Sequence, residues 1–386
     1  MKNLKQALIQ RKEQGLYRQR KQIQSPQGRE ITLDGQRVLN FCSNDYLGLA
    51  AHPEVNKAFV RGAELYGVGS GSAHLVNGHS SAHHQLEEAL AEFTGYTRTL
   101  LFSTGYMANL GVAQSLCTHR DHIIEDRLNH ASLLDAAKIS GAKLSRYLHG
   151  NYQSLQDKLS KHDTGECLVS SDAVFSMDGD QADITTMANL CRAQNAWLML
   201  DDAHGFGVLG KNGAGSLSHQ QIAAKNVPIY MATLGKALGT AGAFIAGSDE
   251  LIEYLIQTAR CYIFTTAMPA AIAEATRVSL KLLVTENWRQ QALTQNIRHF
   301  KSLAKQSEIP LLASDTAIQP VIINDSQKAL DTSQALFKKG LHVAAIRPPT
   351  VPANTARLRI TLRADHTQND IQHLVECLSP LISLEK

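Results

Sequence analysis

Between Ala51 and Leu283, short apolar runs alternate with stretches of helical length: TLLF, HIIED, KLSRYL, ECLVSSDAVF, AWLMLDD, PIYMAT and AFIAG. Strands separated by helices build βαβ units, and the outcome is a mostly parallel sheet covered on both faces. Seven strand candidates make one large α/β domain, expected over residues 45–285. After a charged helical stretch from Glu286 the pattern changes to three half-buried strands, IQPVII, LHVAAI and RLRITL, and a terminal helix, QNDIQHLVECLSPLIS. This predicts a smaller C-terminal α/β domain over residues 286–386. Residues 1–44 read as an amphipathic helix and a segment that crosses onto the large domain through the turn-rich strip RITLDGQRVLNFCSNDYLGL.

With 386 residues, 44% hydrophobic and 19% charged, the chain has ample material for two or three domains, and disorder is a poor reading. No window approaches the apolar run of a membrane span. The formal charge of +3 is a small difference between 38 basic and 35 acidic residues, so no strong field recruits nucleic acid. The basic stretch RKEQGLYRQRKQ reads as a solvated helix face; it lacks the apolar core of a secretory signal, although its Arg-rich composition is shared with transit peptides. Six scattered cysteines form no CxxC pair, which fits a reducing cytoplasm and neither a zinc ribbon nor a disulfide framework. His79 and His83 can lie one helical turn apart, but no third ligand is in view, and no metal is expected.

In open α/β sheets, ligands bind beyond the carboxyl ends of the strands. AWLMLDDAHGFG runs an apolar strand into Asp201, Asp202 and His204. A carboxylate there needs a cationic or hydrogen-bonding partner, and a protonated pyridine nitrogen would be one. Taken alone, the acidic pair equally suits a divalent metal or a Walker-B-like strand end. PIYMATLGKALGTAGA discriminates. A P-loop requires Gly where Tyr230 stands and Ser or Thr where Ala237 stands, so a nucleotide-binding reading fails at two defining positions. Lys236, in a glycine-bracketed turn after a strand, is instead placed to form an imine once desolvation lowers its pKa. Thr233 can offer a hydroxyl to a phosphate.

LLFSTGYMANLGVA passes from strand through Gly105 and Tyr106 into a helix, whose free N–H groups make an anion site. His130 follows a strand and opens a helix, placed either to stack on a pyridine ring or to cap that helix. Ser176 sits at a strand end before an acidic turn. The glycine-rich GVGSGS follows a helical pattern and does not complete GxGxxG, so it is a weak dinucleotide signal.

Together these segments resemble the α-oxoamine synthases of the fold-type-I pyridoxal-phosphate enzymes. The similarity runs through NFCSNDYLGL, NGHSSAHHQLE, FSTGYMAN, DRLNHASLLDAA, VFSMDGD, DDAHG, TLGKALG and RPPTVPANTARLRITL. The resemblance implies a fold-type-I transferase with pyridoxal 5'-phosphate as cofactor and Lys236 as the Schiff-base lysine. It places Asp201 on the pyridine nitrogen, His204 and Ser176 near the phenolic oxygen, His130 on the ring, and Gly105, Tyr106 and Thr233 on ring and phosphate. It also implies that Arg359, with Asn44 beside it, holds an amino-acid carboxylate, which a bidentate guanidinium suits. Arg18 and Thr350 match positions that contact substrate. Ser72 departs from the family, which often has glycine there, and His74 from an arginine or glycine. DDAHG and IRPPTVP point to the member that condenses L-alanine with pimeloyl-CoA or pimeloyl-acyl carrier protein in biotin synthesis. Glycine C-acetyltransferase, 5-aminolevulinate synthase and serine palmitoyltransferase are siblings, glycine C-acetyltransferase being the alternative. A homodimer is expected from the family.

Overall fold

The structure, a computed structural model, describes residues 2–13 and 16–382. Its first strands, β1 (Glu30–Leu33) and β2 (Gln36–Asn40), form an antiparallel hairpin. Seven strands then build the main sheet: β3 (Arg98–Phe102), β4 (His122–Asp126), β5 (Lys143–Tyr147), β6 (Cys167–Asp172), β7 (Trp197–Asp201), β8 (Ile229–Thr233) and β9 (Ala243–Gly247). Each coincides with one of the apolar runs, and the sheet order is β3-β9-β8-β7-β6-β4-β5. β9 runs antiparallel to both neighbours. The connection from Leu234 to Gly242 is too short for the crossover that a parallel pair requires.

The sheet is buried on both sides. On β7, Leu198 and Leu200 join one apolar cluster, with Phe41 and Phe244, while Met199 joins the other, with Phe102 and Ile123. Every residue of β4, β6 and β9 is buried, which is why these strands read as continuous apolar runs. β5, at the sheet edge, carries the polar sequence KLSRY and buries only Tyr147.

Two smaller sheets flank this body. β10 (Ile318–Asn324), β12 (Ala344–Ile346) and β13 (Ala356–Thr361) form one, in the order β10-β13-β12. The expected strand LHVAAI is divided at Val343: β11 (Leu341–His342) leaves to pair with β2, and β12 pairs with β13. The crossing segment is knitted in as well, since Thr361 N–H donates to the Phe41 carbonyl and Ala364 N–H to the Tyr46 carbonyl, both at 2.8 Å.

One expectation needs correction. The helix α1 (Leu4–Glu13) is present but buries none of its residues, so it is not amphipathic in practice. Leu16 to Lys21 are in no helix, so the basic residues from Arg18 to Lys21 do not lie on a helix face; Gln14 and Gly15 lie outside the described residues.

His149 joins the end of β4 to the turn after β6: Nδ1 is 2.9 Å from Asp126 Oδ1 and Nε2 is 2.8 Å from Asp180 Oδ2. Burial opposes charge on this ring, but the two carboxylates outweigh it and raise the pKa from 6.5 to about 10. Because the folded value lies above the ordinary one, the clamp's contribution to stability is complete below about pH 6.5 and is lost as pH rises through about 10. His149→Gln is expected to lower the unfolding free energy by about 1–3 kcal/mol at pH 7. Denaturant melts of variant and parent should converge above pH 10; an equal deficit at both pH values would refute the role of the charge.

Candidate active site

The carboxyl ends of β3, β4, β6, β7 and β8 converge with the starts of two helices, α4 (Gly105–Leu116) and α5 (Ala131–Ser140); two earlier helices, α2 (Pro53–Tyr66) and α3 (Ser81–Thr94), precede the sheet. Lys236 projects from the turn between β8 and β9, its amine 2.9 Å from His204 Nε2. Burial is the largest influence on this amine and lowers its pKa to about 8, with Arg359 adding to the effect and Asp201 and Asp172 opposing it. Of the bracketing glycines, Gly239 is the one the fold requires. It has φ +69°, and a Cβ there would fall 2.2 Å from the Ala50 backbone nitrogen, so the demand comes from the protein's own backbone rather than from a ligand.

A directed chain runs on from Lys236. With Nε2 accepting from the lysine, His204 Nδ1–H donates to the Tyr46 oxygen at 2.6 Å, and Tyr46 O–H donates to Asn44 Oδ1 at 3.3 Å. Arg359 meets the same Asn44 oxygen from the other side, through Nη1 and Nη2 at 3.2 Å each. Its Nε donates to the Ser176 carbonyl at 2.6 Å. The three arginines of β13 and its continuation differ in one respect. Arg357 pairs with Asp178, and Arg363 with Asp45 and Asp365, whereas Arg359 is buried and in no ion pair among the described residues. A buried guanidinium without an anion is costly, which leaves Arg359 able to take a carboxylate.

The acidic pair separates, as adjacent residues at a strand end do. Asp202 turns into the protein, accepting from Ser216 N–H at 2.7 Å, Ser216 O–H at 2.5 Å and Tyr230 O–H at 2.7 Å. Asp201 stays at the site, buried and in no ion pair among the described residues, with Oδ2 accepting from Asn109 Nδ2 at 2.9 Å and Oδ1 from Ala203 N–H at 3.0 Å. It therefore lacks a cation.

At the start of α4, Thr104 caps Met107 N–H, and the first N–H groups, including those of Gly105 and Tyr106, have no acceptor within the helix. Tyr106 is 41% exposed and its hydroxyl bonds Asp135. Thr233 is engaged by its own turn: it donates to the Gly242 carbonyl at 3.0 Å and accepts from Gly235 N–H at 3.3 Å. Its oxygen closes the Lys236 turn.

Of the two readings offered for His130, the structure shows the cap. It caps α5, with Nδ1 accepting from Ser132 N–H at 3.3 Å, and its ring is exposed to the cleft. Its backbone N–H donates at 2.7 Å to Asp172, a buried carboxylate at the end of β6 whose pKa burial and the neighbouring Asp201 push up. Ser176 lies four residues past the end of β6, in the turn rather than at the strand end, and faces the same cleft. That cleft has a volume of about 920 Å³ and also takes Arg18 and Thr350 into its wall.

The histidine group gains a third member, since His74 Nδ1 lies 3.0 Å from His79 Nδ1, close to His83. Both nitrogens of His83 are already engaged: Nδ1 receives Ser80 N–H at 3.0 Å and Nε2 donates to the Met268 carbonyl at 2.7 Å. Burial lowers the pKa of His83, and that of His74 to about 3, so both rings are neutral at pH 7, and His83 closes the capping box of α3. His74 stacks on Tyr262 with ring centroids 4.9 Å apart, and Ser72 bonds Asn77, so both departures from the family pattern are absorbed locally.

Sequence reasoning missed Tyr46, Asn109, Ser132 and Asp172. Asp172 carried a legible signal, a carboxylate ending an apolar strand as Asp201 does, and the two are register partners across β6 and β7.

The family model of aminotransferase class I and II matches residues 36–378. An 8-amino-7-oxononanoate synthase of Thioalkalivibrio sulfidiphilus is 55% identical over 379 residues, covering 98% of this chain and 97% of that one. The chain belongs to the 8-amino-7-oxononanoate synthase family. The corresponding enzyme of Pseudomonas savastanoi pv. phaseolicola is also 55% identical, over 97% of this chain and 95% of its own. Among solved structures, the 8-amino-7-oxononanoate synthase of Francisella tularensis superposes with a TM-score of 0.80 at 34% identity, covering 90% of this chain and 98% of that one. A serine palmitoyltransferase of S. paucimobilis with bound PLP gives 0.92 at 28% identity, over 98% and 96%. This site meets the requirements of that cofactor. A buried lysine amine, a buried carboxylate lacking a cation and a helix start with free N–H groups answer its aldehyde, ring nitrogen and phosphate respectively.

Proposed function

We propose that this chain catalyses the decarboxylative condensation of L-alanine with a pimeloyl thioester, giving 8-amino-7-oxononanoate, carbon dioxide and free thiol in biotin synthesis. The family membership supports the acyl group. The observation that carries the amino-acid half is Arg359, a buried guanidinium with no anion, joined to Lys236 through Asn44, Tyr46 and His204. Pyridoxal phosphate, held by Lys236, Asp201, His204, Ser176 and the start of α4, supplies when bound an electron sink for the charge left at the α-carbon of alanine. Arg359 and Asn44 hold the alanine carboxylate. Lys236, with a pKa near 8 and a histidine acceptor at 2.9 Å, takes the α-proton and later returns one. The acyl chain lies in the cleft lined by Arg18, Ser176 and Thr350, where His130 donates to the acyl carbonyl oxygen as negative charge develops there. Asp172 holds the His130 backbone. The thioester is pimeloyl-CoA or pimeloyl-acyl carrier protein.

A matrix of alanine, glycine and serine against pimeloyl, acetyl, succinyl and palmitoyl thioesters, scored by release of carbon dioxide, tests this reading. Alanine with pimeloyl should be the best pair. Glycine with acetyl as the best pair would move the assignment to a glycine C-acetyltransferase.

A homodimer is supported by an apolar surface. Leu65, Val68, Val76 and Phe264 are 72%, 87%, 78% and 70% exposed, and the glycine-rich segment is tied to the Phe264 region by the Ala73–Thr266 bridge. A second copy is the natural cover for such a patch. The parent should sediment as a dimer and Val68→Asp with Phe264→Asp as a monomer; a dimeric double variant would place the contact elsewhere. Among the described residues no helix is long and apolar enough to cross a membrane. All six cysteines are free thiols, which supports a cytoplasmic location.

A further inference from the structure

Asn109 is fully buried on α4, and its amide oxygen has no hydrogen-bond partner. An unsatisfied buried carbonyl is destabilising, so its retention calls for a compensating use. The use is visible on the amide nitrogen. One N–H donates to Asp201 Oδ2 at 2.9 Å and the other to Ser132 Oγ at 2.8 Å. The opposite amide orientation would set its oxygen against the acceptor-only carboxylate of Asp201, so the assignment is fixed by charge. The Ser132 hydroxyl, accepting from Asn109, has its single proton free for His130 Nδ1 at 2.7 Å, and the backbone N–H of Ser132 approaches the same nitrogen at 3.3 Å. Two donors therefore converge on Nδ1, which must offer a lone pair. The ring's proton then sits on Nε2, which has no partner among the described residues, on a ring that lines the cleft.

We propose that Asn109 and Ser132 are positioning residues: the amide, anchored on Asp201, orients the Ser132 hydroxyl so that His130 presents Nε2–H to the acyl carbonyl oxygen. The inference rests on the condensation reading for the identity of that acceptor, while the tautomer itself is independent of it. Asp201 thereby serves two ends, one carboxylate oxygen anchoring the relay and the other held by the backbone of Ala203. Neither Asn109 nor Ser132 touches the reacting atoms.

The test is ¹⁵N NMR of the holoenzyme labelled at histidine, with His130→Gln identifying the resonance. The parent should show a neutral ring protonated on Nε2. Ser132→Ala, which removes one oxygen, should give a mixture of tautomers and lower kcat about tenfold with the alanine KM within twofold. Ser132→Thr, which keeps the hydroxyl, should restore both. Asn109→Leu should act in the same direction as Ser132→Ala; if it fails to fold, the Ser132 pair decides alone. A parent ring protonated on Nδ1 overturns the inference, as does a Ser132→Ala ring that keeps the parent pattern, even if turnover falls. A parent enzyme that makes no aminoketone from alanine with either pimeloyl-CoA or pimeloyl-acyl carrier protein refutes the condensation reading instead, and the NMR result still decides the tautomer.

Discussion

Lys236→Ala is expected to lower turnover by roughly four orders of magnitude or more, because one side chain both tethers the cofactor and moves the proton at the α-carbon. The parent should purify yellow, and borohydride should leave the cofactor covalently fixed to the peptide containing Lys236. The variant should lose that covalent label. The depressed pKa adds a kinetic signature. Only the unprotonated amine attacks the cofactor aldehyde, so uptake of pyridoxal phosphate by stripped protein should accelerate with pH and level off above about 8. A variant that turns over at the parent rate would remove Lys236 from the mechanism. A rate of uptake flat from pH 6 to 9 would leave the lysine in place but deny that burial primes it.

Arg359→Ala comes second in size. The alanine KM should rise about 100-fold, the equivalent of about 3 kcal/mol for a buried charge-assisted pair, with the cofactor colour unchanged. Arg359→Lys should recover only part of this, since a point charge cannot make two parallel hydrogen bonds to a carboxylate. Steady-state kinetics with alanine varied at saturating pimeloyl-CoA separate the two. The outcome that would sink the assignment is an unchanged KM for alanine beside a raised KM for the thioester, which would move Arg359 to the acyl side.

Much of this fold could be read from residue order because the central strands are buried on both faces. HIIED, ECLVSS and AFIAG have no polar face to disguise them, and each became a strand. Lys236, Asp201 and His204 could be singled out for a related reason, since each lies at or shortly after the carboxyl end of a strand, where open α/β sheets bind ligands. What stayed hidden depends on tertiary context. The division of LHVAAI at Val343 arises because two different sheets compete for one short strand. Asn109 sits one helical turn beyond Gly105 and reads as an ordinary helix residue until α5 brings Ser132 against it. Tyr46 is embedded in a turn-rich strip, and only the approach of His204, 158 positions away, gives its hydroxyl a role. The N-terminal helix misled in the opposite direction: Leu4, Ala7, Leu8 and Ile9 suggested a buried face, yet none of them is buried.

The division at Val343 has a mechanical meaning. Because β11 joins the N-terminal hairpin while β12 joins β13, and because Phe41 and Tyr46 accept hydrogen bonds from the end of β13 and beyond, the strip carrying Asn44 is sewn to the strand carrying Arg359. Arg363, buried against Asp45, adds a charged rivet at 3.1 Å. The two ends of the carboxylate clamp thus travel as one piece, whereas Lys236 is mounted on the main sheet. The clamp is joined to that sheet in turn, where Arg359 donates to the Ser176 carbonyl after β6 and where His204 donates to Tyr46, so the gap between clamp and lysine is set by two short hydrogen bonds, each of 2.6 Å.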